Sequence, residues 1–142
     1  MADDDDAVSV PEELVTYIAN TAGRNLRGVA HYDADTFAFE LRESVDAAYD
    51  EAALRAIVDD MRVQDRAKPA HERLFSVGDL YCTLRAFDDA IMLHFPQDDE
   101  RGTVVSLLPD AAPQLTDFIY DTLAVLDRHS EQEIRRAPSW QR

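Results

Sequence analysis

The sequence predicts a single α+β domain. It is a five-stranded antiparallel sheet with helices on both faces, in the order α-β-β-α-β-β-β-α. Three observations carry this. Residues 36–42 alternate strictly, with Phe37, Phe39 and Leu41 on one side and Thr36, Ala38, Glu40 and Arg42 on the other, the mark of a half-buried strand. Residues 80–108 hold three short apolar runs separated by polar turns. Leu54, Ile57, Val58 and Met61 recur at i, i+3, i+4 and i+7, and Leu115, Phe118, Ile119, Thr122, Leu123 and Leu126 form a second helical stripe.

The elements follow in chain order. Residues 1–8 are an acidic tail expected to be disordered. Ser9-Val10-Pro11-Glu12 is a capping-box signature opening a short helix, striped by Leu14, Val15, Ile18 and Ala22 and stopped by Gly23. Residues 26–32 and 36–42 make a hairpin around Asp33-Ala34-Asp35, a turn without glycine. A helix starts near Asp50. Anions sit near its start and Arg62 and Arg66 near its end, as the helix dipole favours. Residues 65–73, polar and containing Pro69, read as a connector. Strands are then expected at 80–85, 90–95 and 103–108, with a turn at Asp88-Asp89 and a polar loop at 96–102. The last two strands are apolar on both faces and belong mid-sheet. Asp110 and Pro113 open the last helix, with the domain ending near residue 128. Residues 129–142 read as a helix extension and a basic tail.

Composition bounds the class. A chain of 142 residues buries roughly 68% of its unfolded surface, enough for a single domain's core. Aspartate outnumbers glutamate twenty to nine, thirteen of fourteen basic residues are arginine, and the net charge is −15. This suits a cytosol of molar salt, where the Debye length is only about 3 Å. The acidity is then a solvated surface before it is a sign of a basic partner. One cysteine excludes an internal disulfide and fits a reducing compartment. The acidic N-terminus is the reverse of a signal peptide, and no apolar run approaches the ~20 residues of a membrane helix. The expectation is a cytoplasmic protein without membrane contact.

Candidate chemistry is sparse. No phosphate-binding glycine loop, C-x-x-C, H-E-x-x-H or G-x-S-x-G occurs, and no cofactor is expected. Cys82 and His94 form the best nucleophile–base pair on offer. The alternation of Cys82 with Leu80 and Leu84 favours a small core residue instead. His31 and His94 lack nearby ligand partners in sequence, and Asp33-x-Asp35 and Asp88-Asp89 sit in turns that aspartate supports through its own side chain. The tail arginines with Trp140 offer charge and stacking for nucleic acid, but Glu131 and Glu133 share that stretch and molar salt weakens phosphate contacts. Nucleic acid is not the expected partner.

The order of elements, the hairpin begun by Leu26-Arg27-Gly28-Val29-Ala30-His31-Tyr32-Asp33, and the three-strand run from Asp79 to Leu108 with the helix after it resemble the Roadblock/LC7 family. The resemblance spans roughly residues 10–128. It implies a profilin-like fold, dimerisation, and regulation of or scaffolding for small GTPases or signalling complexes, without catalytic residues. The chain also resembles a group of small haloarchaeal proteins, which implies a habitat and no mechanism. In the Roadblock arrangement the strand Leu80, Tyr81, Cys82, Thr83, Leu84 and Arg85 is a sheet edge. The helix of Leu54, Ile57, Val58 and Met61 lies nearby, so these residues are the expected homodimer interface. The expected function is a non-enzymatic interaction or regulatory module. The alternative is a sensor with a small-ligand pocket under one face of the sheet, and after it a small hydrolase or metal-dependent enzyme.

Overall fold

The computed structural model describes residues 8–46, 48–98, 100–129, 131, 138 and 140. It shows a five-stranded antiparallel sheet, order β2-β1-β5-β4-β3, with helices packed on it. The strands are β1 (Leu26–Tyr32), β2 (Phe37–Leu41), β3 (Thr83–Ala86), β4 (Ile91–Asp98) and β5 (Arg101–Leu107). The helices are α1 (Glu12–Ala22), the single-turn α2 (Glu43–Asp46), α3 (Glu51–Phe75) and α4 (Pro113–His129). The expected α+β class and five-stranded antiparallel sheet are therefore present.

The register sorts the side chains. Tyr32 pairs Phe37 and Gly102; Ala30 pairs Phe39 and Val104; His94 pairs Val104 and Thr83. Paired residues share a face. This one meets α3, where Tyr32, Val58, Met61 and Val104 form the core, flanked by Ala30, Phe37, Ile57 and Met92. Each fully buried side chain of this size contributes about 1.5–3 kcal/mol. On the other face Val29 pairs Val105, and both are buried with Ile91. Leu14, Val15, Ile18 and Ala22 of α1 are its half-buried stripe, as their spacing predicts.

Several expectations are corrected. Helix α1 begins at Glu12 with Pro11 as its cap residue and no side-chain cap, so Ser9 caps nothing there. Val8 donates its N–H to Thr36 Oγ1, which ties the end of the expected tail to the hairpin turn. The supposed connector at 65–73 is helical: α3 runs 25 residues with Pro69 inside it. Asp50 caps its start by accepting the Ala53 N–H, and Ser76 ends it in the left-handed region. The polar loop at 96–102 is mostly β-structure. Asp98 pairs Arg101 across a tight hairpin, with Glu100 at φ 68°. Phe118 is 69% exposed and Thr122 is exposed as well, whereas Leu115, Ile119, Leu123 and Leu126 are half-buried as expected, beside the buried Thr116. Residues 1–7 of the tail, and 130, 132–137, 139, 141 and 142 at the other end, lie outside the described residues.

Candidate functional site

The expected interface divides into two parts. Leu54, Val58 and Met61 are buried, and Ile57 packs against the same core. Their stripe is the one α3 turns to the sheet, so none is free to meet a partner. One apolar stripe cannot serve both core and interface, and the core takes it.

The edge is where the topology puts it. Among the described residues β3 pairs with β4 alone, through Thr83↔His94 to Ala86↔Ile91, and is an outer strand of the sheet. It is shorter than expected: Leu80, Tyr81 and Cys82 precede the ladder as coil, and Thr83, Leu84 and Arg85 lie within it. The approach is pinned by Glu72, whose carboxylate accepts the Leu80 N–H at 2.8 Å and pairs with Lys68 at 2.9 Å. These contacts hold the Glu72 carboxyl below its ordinary range, the Leu80 amide first among them. Apolar side chains then line the outside. Val77 is 88% exposed, Tyr81 76%, Phe87 52% and Leu84 40%, and Leu74 and Phe75 at the end of α3 are exposed as well.

Cys82 is exposed, which corrects the reading of it as a core residue. Leu80 and Leu84 do not set its face because the ladder starts only at Thr83. Desolvation raises its thiol pKa, opposed by the backbone N–H of His94. The His94 imidazole itself points into the α3 face. The pair therefore forms no nucleophile–base contact.

That imidazole belongs to a buried network that sequence reasoning missed. Tyr32 donates its phenol proton to Asp65 Oδ2 at 2.5 Å, and His94 Nε2 lies 2.8 Å from the phenol oxygen. A phenol has one proton to give, so Nε2 carries the hydrogen that fills the second contact. Nε2 is also 3.0 Å from Asp65 Oδ1. It is aimed at the phenol, however, and Oδ1 receives no hydrogen bond from the described residues. Burial, then the Asp65 bond and its charge, push the Tyr32 phenol far above its usual range. All three side chains are closed off from solvent, which suits a bolt between α3 and the sheet rather than a reacting site. Arg62 completes the joint. It lies over the Tyr32 ring and donates to the carbonyls of Asp33 and Thr36 at 2.9 and 3.1 Å. One clue was legible: Asp65 extends the series 54, 58, 61 onto the helix's inner face, a carboxylate at a core position.

The turn residues behave as turn residues. Asp33 Oδ1 accepts from the N–H groups of Asp35 and Thr36 and from Thr36 Oγ1, and the Thr36 amide leads in lowering its pKa. Among the described residues no three His, Cys, Asp or Glu side chains converge to hold a metal ion. Trp140, read as a base-stacking candidate, donates its indole N–H to the Phe87 carbonyl at 3.1 Å. Among the described residues no helix is long and apolar enough to cross a membrane.

The sequence pattern of a family described as a domain of unknown function, DUF7522, matches residues 12–127, from α1 through nearly all of α4. No curated protein matches the chain.

Proposed function

The chain belongs to the DUF7522 family, and we propose that it works as a non-enzymatic interaction module that pairs with a second copy of itself along β3. The observation that carries this reading is a strand edge that no further strand covers among the described residues, flanked by exposed Tyr81, Leu84 and Phe87. An edge strand presents unpaired N–H and C=O groups. A second copy related by a two-fold axis would satisfy them and cover the apolar side chains at once. Exposed apolar side chains at a strand edge favour contact with another protein surface. The regulatory partner, a small GTPase or signalling protein in a haloarchaeal cytoplasm, is the part of the proposal that rests on sequence resemblance alone.

Light scattering in molar KCl tests the pairing. The wild type is expected at twice the chain mass of 16.0 kDa across micromolar concentrations. Tyr81→Asp with Leu84→Asp places charges on the edge at exposed positions, and is expected to return a folded monomer. A wild-type monomer throughout would refute the proposal. A double variant that stays dimeric would place the interface elsewhere.

A further inference from the structure

A second feature lies on the α3 face and borders the end of β3. Between the first half of α3 and the sheet is a cavity of about 660 Å³, within the range of small-molecule sites. Its floor is apolar: Ile57, Met61, Met92 and Val104. Two of these are methionines, whose unbranched side chains adapt to ligand shape. Two arginines reach in from the sheet, Arg27 from β1 and Arg85 from β3.

Arg27 is the unusual one. Regular alternation would send it to the α1 face with Val29 and His31. A bulge between Leu26 and Gly28 breaks the register, and Arg27 instead donates from Nη1 to Ser106 Oγ at 2.6 Å on the α3 face. In a chain with 29 carboxylates and 14 basic residues, this half-buried guanidinium has no ion pair among the described residues. Arg85, by contrast, is matched by Asp60 at 3.2 Å. A guanidinium offers five donors in a planar fork, and a single bond to Ser106 leaves most of them for a planar anion.

The geometry points to a binding site for a small organic monocarboxylate, with its carboxylate on Arg27 and its apolar body over Met61, Met92 and Val104. The rim selects the charge. Asp89 lines the same cavity and repels a phosphate dianion more than a carboxylate monoanion. This goes beyond the pairing proposed above, since it needs no second copy, although Arg85 and Phe87 at the end of β3 also line the cavity.

Octanoate and its uncharged counterpart octanamide are the probes, added to the full chain in molar KCl. Met61 and Met92 both line the cavity. Methyl-labelled methionine NMR therefore reads the site directly. Octanoate is expected to shift the Met61 and Met92 methyls saturably. Octanamide is expected to bind at least about tenfold more weakly, the loss of a charged hydrogen bond. Arg27→Gln should weaken octanoate by a similar factor. Ala56→Trp, which fills the mouth from an exposed helical position, should abolish the shifts without touching Arg27. Absence of saturable shifts with octanoate, equal affinity for octanamide, or full octanoate binding by either folded variant would overturn the assignment.

Discussion

Gly102 faces Tyr32 across the β1–β5 pair. A Cβ there would lie 2.6 Å from the phenol oxygen and 2.9 Å from the Phe95 carbonyl. The glycine is thus the space that lets the Tyr32 phenol reach Asp65 and His94. Gly102→Ala is expected to cost roughly 1–3 kcal/mol by displacing the ring. Tyr32→Phe leaves the buried Asp65 carboxylate without its donor and costs about 1–3 kcal/mol or more. Both act through one phenol oxygen, so urea unfolding should show the double variant losing less than the two single losses added; strict additivity would mean the phenol is not what Gly102 accommodates. His31 gives a pH test. Burial lowers its pKa, against an opposing pull from Asp33, while Nδ1 contacts Thr103 Oγ1 at 2.7 Å. A lowered folded-state pKa means the unfolded chain takes up a proton that the native state resists. Stability therefore falls as pH drops through about 6.5. The wild-type melting temperature should fall more between about pH 7.5 and 5.5 than that of His31→Gln. Parallel curves would remove His31 from the account.

At the scale of elements, α3 carries the most tension. Pro69 gives no N–H to the Asp65 carbonyl and crowds the preceding turn, yet the helix continues to Phe75. Its continuation is held by the Asp65 bolt before it, by the Glu72–Leu80 bond after it, and by the i,i+4 pair Lys68–Glu72 that spans the proline within the helix. Pro69 is exposed, so Pro69→Ala removes no packing. It should raise stability by about 1–3 kcal/mol, seen as a higher urea midpoint. A lower midpoint would show that a proline bend positions Glu72 for Leu80. The same element explains what the sequence disclosed and what it hid. The strands at 26–32 and 36–42 were legible because alternation reports burial on one face. The far half of α3 was hidden because a proline and a run of charges imitate a connector. The early start expected for β3 came from alternation continuing through Leu80 and Cys82, into coil that the ladder never reaches. The Tyr32–Asp65–His94 network and the Arg27 cavity depend on which strands become neighbours and on a bulge, and neither is a property of any local segment.

At the scale of the whole molecule, the net charge of −15 acts on folding and pairing alike. The ion pairs do little to offset it. Arg55–Glu51, Lys68–Glu72 and Arg101–Asp98 are local pairs within reach of solvent, which screens them to a small contribution. Twenty-nine carboxylates against fourteen cations repel one another, and the compact state concentrates that repulsion. Screening reaches about 10 Å at 0.1 M salt and shortens to about 3 Å at 1 M. Lowering KCl from molar to about 0.1 M is therefore expected to reduce the melting temperature. Two copies meeting along β3 bring two such charges together, so the same dilution should also dissociate the proposed dimer. Dissociation links stability to protein concentration. At molar KCl the melting temperature should rise with protein concentration, and in dilute buffer that dependence should fade. A melting temperature indifferent to KCl would show that the carboxylates are spaced too widely to matter. One that responds to KCl but never to protein concentration would keep the charge argument and remove the dimer.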